Sequence, residues 1–451
     1  MKSASPGAKS RVPAGDPLVA AWEKTLQRRG NDPAILGTDG AVLRTFCQID
    51  DRARELEPQI AGPVYPIDIG NHPDWPSLFL ASLRGGVVAL PLESTITPQQ
   101  REAALSICSA TSPAWGDPPP VLLKLTSGTT AAPRAIRFRS AQLLADCRQI
   151  CDTMGIGPDD INFGVIPLSH SYGFSNLVTP LLVRGVALVL SRDRMPRAVL
   201  EGLVTSGATV FPGMPVFYQA FCEMENPPAF SRLRLCISAG APLPLEIARK
   251  FRDKFGLAIH SFYGSSECGG ICYDRTARLD DPGFVGAPMT GTQVELLEPQ
   301  AEASRIRIQT AAAGDGYFPE PDEEKLGGGF FTPDDLLRPS GEGFRIVGRV
   351  SDVINVAGKK VNPAEVEAEL LRCPGVRAAV VFGRESVRRN EEVAACVAAN
   401  ETLREAELLD FCRRRLSGWQ VPKRIFFVNE IPVNERGKVN RRELARKFGR
   451  A

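Results

Sequence analysis

The sequence is poor in histidine and lacks the cysteine spacings of metal sites and disulfide frameworks. It contains three histidines and 11 cysteines in 451 residues, and no Cys-x-x-Cys pair occurs. Cys147 and Cys151 are four residues apart, as are Cys268 and Cys272, which suits packing better than zinc ligation when histidine is scarce. An odd number of cysteines without paired spacing indicates reduced thiols and predicts a cytoplasmic protein.

Net charge and long apolar runs are also scarce. The formal net charge is +2, which gives no reason to expect a nucleic-acid partner. The most apolar stretch, 177–190, is interrupted by Pro180 and Arg184 and is too short to span a membrane. Residues 1–17 lack the apolar segment of a secretory signal, and their Pro, Ala, Gly, Ser and Lys content predicts a disordered start.

Two common catalytic strings are missing. No Gly-x-x-x-x-Gly-Lys-Ser/Thr sequence occurs, which excludes a Walker A loop. The nucleophile elbow of a hydrolase would need glycine at position 268 of the string that begins at Gly264, and Cys268 stands there instead. The polar loops described below therefore call for a different chemistry.

Length and pattern predict a large α/β domain followed by a smaller one. A chain of 451 residues exceeds what one small core organises, so two or more domains are expected. From residue 18, helical patterns alternate with short apolar strands, which is typical of parallel βαβ units. The character changes to α+β near residue 350. We expect a domain over 18–350 and a second domain over 351–451.

A polar loop follows the apolar run 121–123. Hydroxyl and backbone N–H groups are concentrated there, and consecutive N–H groups form a nest for anions. Gly128 lets the backbone approach an anion, Pro133 stiffens the exit, and Arg134 adds a fixed positive charge. A polyphosphate site is one interpretation and a plain polar turn is the other. The candidate phosphate ligands are Thr126, Ser127, Gly128, Thr129, Thr130 and Arg134.

A second polar cluster ends a predicted strand at 259–262. Its aromatic ring can stack on a purine, a hydroxyl can contact phosphate, and its carboxylate can hold Mg²⁺ beside substrate phosphates. This cluster comprises Tyr263, Gly264, Ser265, Ser266 and Glu267. Upstream, the small residues Gly240, Ala241 and Pro242 follow another strand and would let an adenine lie flat, although such strings are mostly turns.

These motifs and their order resemble the adenylate-forming superfamily of acyl- and aryl-CoA synthetases, luciferases and nonribosomal adenylation domains. The resemblance covers about residues 20–445 and is most specific over 348–367. It implies an α/β fold: a large AMP-binding domain of βαβ subdomains with mixed sheets, abbreviated in its N-terminal part, and a small mobile α+β C-terminal domain. The phosphate loop departs from the family pattern at Ala131 and Ala135, which replace glycine, and at Arg134, which replaces lysine.

The resemblance implies a ligase that uses ATP and Mg²⁺ to convert a small carboxylic acid into acyl-AMP and pyrophosphate. A thioester then forms with CoA or with the phosphopantetheine of a separate acyl carrier protein. Fatty and aromatic acids both remain open, whereas the lack of Asp between Pro167 and Thr179 argues against an amino acid. A ligase with another acceptor and a catalytically degenerate nucleotide-binding homologue are the alternatives.

Carried over residue by residue, the resemblance assigns roles outside the phosphate loop. Catalysis is assigned to Lys438, Glu267 and Arg349, and Mg²⁺ binding to Glu267. Nucleotide contacts are assigned to Gly240, Ala241, Pro242, Tyr263, Gly264, Ser265 and Ser266, and the ribose to Asp334 or Asp335, with Asp334 preferred. The acyl pocket would be lined by His170, Phe174, Cys268 and Gly269, together with Ser169 and Gly270.

The remaining expectations concern motion and space. The small domain would rotate about Ser351, since Lys438 must leave the site before a thiol enters. Gly358 would line the thiol tunnel. Gly269 and Gly270 would leave room for a flat or long acyl chain. His170 is equally well explained as a hydrogen-bonded core histidine.

Overall fold

The structure is a computed structural model. It describes residues 15–94, 96–109, 115, 118–126, 134–386, 390–400, 402–432, 439 and 441–448. The predicted phosphate ligands Ser127, Gly128, Thr129 and Thr130 lie outside the described residues, as does the predicted catalytic Lys438. The described part of the chain contains no helix with the length and apolar character needed to cross a membrane.

Helices and short strands alternate through most of the chain. The helices are α1 (Pro17–Arg29), α2 (Phe46–Leu56), α3 (Trp75–Arg84), α4 (Pro98–Ser109), α5 (Ser140–Met154), α6 (Ser171–Gly173), α7 (Thr179–Arg184), α8 (Pro196–Thr205), α9 (Pro215–Glu223), α10 (Leu245–Phe255), α11 (Pro363–Leu371), α12 (Glu405–Arg413) and α13 (Arg441–Phe448). The strands are β1 (Pro33–Leu36), β2 (Val42–Thr45), β3 (Val64–Ile67), β4 (Val88–Pro91), β5 (Leu122–Leu125), β6 (Ala135–Phe138), β7 (Ile161–Gly164), β8 (Ala187–Leu190), β9 (Val210–Gly213), β10 (Leu235–Ser238), β11 (Ile259–Ser265), β12 (Gly269–Tyr273), β13 (Phe284–Pro288), β14 (Thr292–Leu296), β15 (Ser304–Thr310), β16 (Tyr317–Phe318), β17 (Leu326–Gly327), β18 (Phe330–Phe331), β19 (Asp335–Ser340), β20 (Gly343–Arg349), β21 (Ile354–Val356), β22 (Lys359–Val361), β23 (Val376–Ser386), β24 (Asn390–Ala399) and β25 (Arg424–Phe427).

Local capping signals explain where several helices begin. Thr45 caps α2 as expected, and Gln48 completes a capping box with it. Asp16 caps α1: its side chain accepts hydrogen bonds from the amides of Leu18 and Val19. The expectation of disorder through residue 17 is therefore wrong for Asp16 and for Pro17, the first residue of α1.

The chain divides into two compact units. Unit 1 comprises residues 1–295, 307–332 and 341–344, and unit 2 comprises 296–306, 333–340 and 345–451. The segments 296–306 and 333–340 thus belong to unit 2 although they precede residue 350. A single boundary near residue 350 does not describe this division. The expected boundary remains a prediction about the functional domains.

Unit 1 contains a sheet whose central strands are parallel. The order is β13-β12-β11-β10-β9-β7-β8-β1-β2, and the pairs from β11 across to β1 are parallel. In such a sheet the carboxyl ends of the strands meet at one edge, where ligands of α/β proteins bind. The β10–β11 register pairs Ser238 with Ser261, so the loop after β10 and the end of β11 lie at the same edge.

A second sheet of unit 1 has the order β16-β6-β5-β4-β3. Its β3, β4 and β5 are parallel, and β5 forms an antiparallel pair with β6. Val88, Leu90 and Leu123 belong to the apolar cluster on one face of this sheet. Because side chains alternate along a strand, Lys124 projects from the opposite face of β5.

Unit 2 has its own sheet and core. The strand order is β22-β21-β24-β23, with β25 paired to β24. Strand β19 pairs with the first residues of β15, placing Ser304 opposite Leu337. The core beneath the sheet contains buried aliphatic residues of α11 and α12, among them Val366, Leu370 and Leu408. This arrangement is the α+β segment expected for the C-terminal part of the chain.

Candidate active site

The predicted Mg²⁺ ligand lies in the tight turn between the antiparallel strands β11 and β12. Ser265 organises this turn, because its hydroxyl oxygen accepts hydrogen bonds from the amides of Glu267 and Cys268, each at 3.2 Å. The carbonyl of Glu267 accepts a 2.8 Å hydrogen bond from the amide of Gly314. The backbone of Glu267 is thus held at both its N–H and its C=O. Ser265 acts on the turn itself, whereas the resemblance assigned it to the nucleotide.

The carboxylate of Glu267 has a specific side-chain partner. The hydroxyl of Tyr317 donates a 3.2 Å hydrogen bond to its Oε1 atom. Burial raises the pKa of Glu267, although hydrogen bonds from Tyr317 and Ser265 lower it in part. A partly desolvated carboxylate of this kind gains from a nearby cation, because a cation offsets the loss of hydration.

Arg134 connects the phosphate loop to this carboxylate. Its guanidinium lies over the ring of Tyr317, 4.2 Å from the ring centroid, and donates a 3.0 Å hydrogen bond to the carbonyl of Glu320. Arg134 replaces the usual lysine of the family pattern. Only a planar guanidinium stacks on an aromatic ring while donating in its own plane, so the replacement has a structural partner.

The two ends of the phosphate loop are joined. The amide and the hydroxyl of Thr126 both donate to the carbonyl of Arg134, at 2.8 and 3.1 Å. These bonds continue the β5–β6 pairing to the point where the loop departs. Thr126 is therefore bound to the base of the loop.

The predicted adenine site lies at the carboxyl edge of the parallel strands. Gly240 and Pro242 are exposed and Ala241 is half-buried, while Tyr263 is buried at the end of β11. Gly240 has a φ of +84°, and a Cβ there would meet nothing closer than 3.9 Å. Its left-handed backbone requires glycine, and the absent side chain leaves the edge open. Gly264, the next residue after Tyr263, is also exposed.

His170 has a structural role in the predicted acyl pocket. It caps the short helix α6, where its Nδ1 accepts a 3.1 Å hydrogen bond from the amide of Tyr172. A neutral ring with an accepting Nδ1 carries its proton on Nε2. The half-buried, hydrogen-bonded ring agrees with a core histidine. A role in the acyl pocket stays a prediction, supported by the position of His170 next to Ser169 in the chain. The hydroxyl of Ser169 is buried without a hydrogen-bond partner among the described residues.

The space beside the two glycines of the predicted pocket is filled by protein. A Cβ at Gly269 would lie 1.9 Å from Oδ1 of Asp146, and one at Gly270 would lie 2.5 Å from the sulfur of Met289. Oδ1 of Asp146 also accepts a 3.1 Å hydrogen bond from the amide of Gly270. The expectation that these glycines leave room for an acyl chain is therefore wrong, because they make room for Asp146 and Met289.

The fully buried Cys268 and Phe174 complete the predicted pocket set. Burial raises the pKa of the Cys268 thiol, which keeps it protonated and excludes it as a nucleophile at neutral pH. The ring of Phe174 packs edge-on against Phe79 at 5.3 Å and near Trp75 at 6.0 Å between centroids. Phe174 is therefore part of an aromatic cluster with Phe79 and Trp75.

In unit 2 the two candidate ribose ligands have different environments. Asp335 is buried, and its Oδ1 accepts a 2.7 Å hydrogen bond from Nε of Arg349. Asp334 is exposed, and its carbonyl accepts a 2.7 Å hydrogen bond from the amide of Val350. Asp335 is therefore bound to Arg349, and the exposed carboxylate belongs to Asp334.

The predicted hinge and tunnel residues are also in unit 2. Ser351 is exposed in a 3-10 turn, Val350–Asp352. Gly358 is exposed at the tip of the β21–β22 hairpin with a φ of +85°, and its amide donates to Oδ1 of Asn355 at 2.9 Å. No atom lies within 4 Å of a Cβ placed on Gly358, so its backbone conformation rather than crowding requires glycine.

Arg441 joins three segments of unit 2. Its guanidinium pairs with Glu367 at 2.6 and 2.9 Å and with Asp352 at 3.2 Å, and it donates to the carbonyl of Val381 at 3.0 Å. Burial raises the pKa of Glu367, with the charge of Arg441 opposing the increase. Arg441 begins α13, three residues beyond Lys438.

Sequence reasoning did not single out Tyr317, Lys124 or Asp146. Tyr317 pairs with a residue 50 positions away, and its local signal is an aromatic residue directly after the glycine-rich stretch 314–316. Lys124 interrupts an apolar strand and is nevertheless buried. A charged residue within a predicted buried strand is a signal that could have identified it.

The described residues contain no group of three or more His, Cys, Asp or Glu side chains placed to hold a metal ion. Mg²⁺ usually takes one or two carboxylates and completes its shell with substrate phosphates and water. The half-buried carboxylate of Glu267 suits that mode, because desolvation raises its pKa and a bound cation would offset that desolvation.

Comparison with known families finds two matching models. The model described as AMP-binding enzyme matches residues 111–309, and the model described as AMP-binding enzyme C-terminal domain matches residues 365–438. The two matches fall on either side of the predicted boundary near residue 350.

Individual proteins support the same assignment. The chain is 31% identical over 343 residues to a feruloyl-CoA synthase of Amycolatopsis, covering 73% of this chain and 70% of that protein. It is 27% identical over 327 residues to a 3,4-dihydroxybenzoate–[aryl-carrier protein] ligase of Bacillus anthracis, covering 72% and 73%. ATP-bound MatB from Rhodopseudomonas palustris superposes with a TM-score of 0.81 at 22% identity, over 95% of this chain and 99% of that one. The predicted fold class is confirmed.

Proposed function

This chain belongs to the AMP-binding enzyme family, and on that premise we propose that it is an AMP-forming acid–thiol ligase. It activates a carboxylic acid with ATP and transfers the acyl group to a thiol. The family assignment and the CoA ligases among its relatives support acid activation through an acyl-AMP. The finer roles below are proposals about this chain's own residues.

One arrangement supports the proposal more than any other. Arg134, at the exit of the phosphate loop, stacks on Tyr317, and Tyr317 donates to the half-buried carboxylate of Glu267. The contact joins the polyphosphate loop to a carboxylate suited to Mg²⁺, although the two are far apart in the sequence. These contacts favour a phosphate-binding loop over a plain polar turn.

The first half-reaction forms one bond and breaks one. A carboxylate oxygen of the acid attacks the α-phosphorus of ATP, and the bond from that phosphorus to the oxygen bridging the α- and β-phosphates breaks, releasing pyrophosphate. Negative charge moves onto the phosphate oxygens during this step, so preorganised positive groups accelerate it. We assign that role to Lys438, with Thr126, Ser127, Gly128, Thr129, Thr130 and Arg134 holding the phosphates.

Mg²⁺ would be held by Glu267 and by phosphate oxygens, and when bound it neutralises charge on the transferred nucleotide. Tyr317 orients the carboxylate for this purpose and restrains its pKa. Ser266, two residues beyond Gly264 in the same turn, is proposed to contact the α-phosphate, and Tyr263 the adenine.

The second half-reaction transfers the acyl group. The thiol sulfur bonds to the acyl carbon, the bond from that carbon to the AMP phosphate oxygen breaks, and the thiol proton leaves with a base or solvent. We propose that rotation about Ser351 separates the two half-reactions and that Gly358 contacts the thiol arm. Asp334 is proposed to bind the ribose diol and Arg349 to act near it, since Asp335 is already engaged by Arg349.

The acceptor that we propose is CoA, and carrier-protein phosphopantetheine is the alternative. One relative is a CoA synthase and another acts on an aryl-carrier protein, so both chemistries occur among similar chains. The functional domains are proposed as 18–350 and 351–451. A cytoplasmic location is proposed from the unpaired state of the described cysteines.

The decisive experiment is ATP–pyrophosphate exchange with the full chain across a panel of fatty and aromatic acids. Exchange with an acid, followed by thioester formation with CoA, is the expected result. Exchange followed by transfer only to a carrier protein would select the alternative acceptor. ATP binding without exchange for any acid would contradict the ligase and favour a degenerate nucleotide-binding protein.

A further inference from the structure

Lys124 is a buried cation in the middle of β5. Its relative exposure is 5%, although lysine is rarely buried without a charged partner. The ammonium lies 4.5 Å from the centroid of the Phe138 ring and 5.3 Å from that of Phe174. Phe138 comes from the paired strand β6, and Phe174 from the π-helical turn between α6 and α7.

The neighbouring acidic groups have other hydrogen-bond donors. Asp146 and Glu267 act on Lys124 only through charge, Asp146 the more strongly, and no ion pair joins Lys124 to a carboxylate within the part of the chain that the structure describes. Asp146 accepts from the amide of Gly270, and Glu267 accepts from Tyr317. Neither carboxylate is hydrogen-bonded to Lys124 among the described residues.

Burying a charged ammonium between two aromatic rings is energetically unfavourable. Removing a charge from water has a large free-energy cost, and cation–π contacts offset only part of it. Burial lowers the pKa of Lys124, as expected for a cation with incomplete compensation. A methionine would fill the same space between the two rings without this cost, so packing alone does not explain the lysine.

The contact of Lys124 with Phe174 indicates a role in binding the acid substrate. Phe174, against which the ammonium packs, is among the residues predicted to line the acyl pocket. We propose that Lys124 is a specificity-determining residue that pairs with a second anionic group on the acid substrate. The substrate class is then a dicarboxylic acid, or a carboxylic acid with another acidic substituent. This inference rests on the proposed ligase function, because it names the acid of the same site.

The test compares pairs of acids of matched shape. Terephthalate is paired with 4-methylbenzoate and glutarate with pentanoate, and kcat/KM is measured by ATP–pyrophosphate exchange with the full chain. The wild type is expected to prefer the diacid of at least one pair by tenfold or more. Lys124→Met should reduce the diacid value on the order of 100-fold, the scale for truncating one partner of a buried charge pair, and change the monoacid value little.

Lys250→Met is the matched control, because Lys250 is exposed on α10 and forms an ion pair with Glu246 of its own helix. It should keep the wild-type preference. A wild type that uses the monoacid of every pair as well as the diacid overturns the proposal, whether or not Lys124→Met folds. An equal loss for both acids in Lys124→Met, with ATP binding intact, also overturns it.

Calorimetric binding of terephthalate and glutarate to the full chain separates this inference from the ligase itself. A first outcome is that no acid supports exchange, but a diacid binds and Lys124→Met abolishes that binding. This result would support the anion-binding role of Lys124 and contradict the proposed ligase function. If exchange occurs and diacid binding is the same in Lys124→Met, the ligase stands and the anion site is wrong.

Discussion

The hydroxyl of Tyr317 donates a hydrogen bond to the carboxylate of Glu267, 50 residues earlier in the chain. The same ring carries the guanidinium of Arg134 on its face. One tyrosine thus connects the exit of the phosphate loop to the carboxylate proposed to hold Mg²⁺. This contact gives the first of five predictions.

Tyr317→Phe should weaken the use of MgATP. Loss of one hydrogen bond to a charged group costs about 1.5–3 kcal/mol, so kcat/KM for ATP should fall roughly 10- to 100-fold. Burial raises the pKa of Glu267 and the tyrosine hydrogen bond opposes that increase, so the variant's pKa should be higher still. The ionised fraction then declines as pH falls, and the defect should grow toward acidic pH. Pyrophosphate exchange between pH 5.5 and 8 measures this, with Tyr65→Phe on β3 as the control.

The two adjacent aspartates should behave differently. Asp334→Asn should raise the Kd for ATP by at least tenfold, because an exposed carboxylate proposed to bind the ribose diol loses its charge. Asp335→Asn should chiefly weaken the local structure, because Asp335 is the partner of Arg349. Equilibrium ATP binding and urea unfolding of both variants distinguish the roles. The reverse pattern would transfer the ribose contact to Asp335.

Lys438→Ala should impair the first half-reaction selectively. Loss of one preorganised charge contact lowers the adenylation rate by about 10²–10³. Thioester formation from supplied acyl-AMP should fall much less, because Lys438 is proposed to leave the site before the thiol enters. Single-turnover assays of each half measure the two effects, with Lys423→Ala on the exposed surface as the control. Equal losses in both halves would contradict the assignment.

Arg441→Ala should destabilise unit 2. The substitution leaves the largely buried Glu367 without its bidentate partner, and breaking such a pair costs about 3 kcal/mol. Arg446→Ala, on the exposed surface of the same helix, should change stability by less than about 0.5 kcal/mol. Urea unfolding of the full chain compares the two variants. A loss no greater than that of the control would show that the three contacts of Arg441 are energetically unimportant.

Asp50 should contribute stability that acid removes. It accepts from Nε1 of Trp22 at 2.7 Å and pairs with Arg84 and Arg54. Burial alone would raise its pKa, but the hydrogen bonds and charges outweigh burial and lower it. A lowered pKa means that the contribution is complete above the unfolded value of about 3.9 and is lost as pH falls below it.

Asp50→Asn should therefore cost about 2 kcal/mol at pH 7, the scale of hydrogen bonds to a charged group. The difference from wild type should shrink as pH drops below 4. Urea midpoints across this range measure it, and Glu23→Gln on the exposed face of α1 provides the control. A difference that does not change with pH would rule out the carboxylate charge as the cause.

Much of the secondary structure was predictable because its signals are local. Thr45 caps α2 and forms a capping box with Gln48, three residues further along the chain, so this helix start depends on neighbouring residues. The order of the motifs likewise predicts the family and the fold class. Neighbouring residues carry all of this information, so no knowledge of the sheet order is needed.

Other predictions failed where distant residues decide the outcome. The room expected beside Gly269 is taken by Asp146, which comes from a helix more than 100 residues earlier. The start of α1 depends in part on Asp16, whose carboxylate also accepts from Ser140. Neither contact is visible in a local pattern.

By itself, the sequence determined the family, the alternation of helices and strands, and the types of side chain available to each loop. Only the tertiary structure decided that Tyr317 orients Glu267, that Asp335 is held by Arg349, and that Lys124 is buried against Phe174. The reason is physical. Hydrogen bonding within a turn or helix depends on residues a few positions apart, whereas burial and pairing depend on which strands and helices pack together.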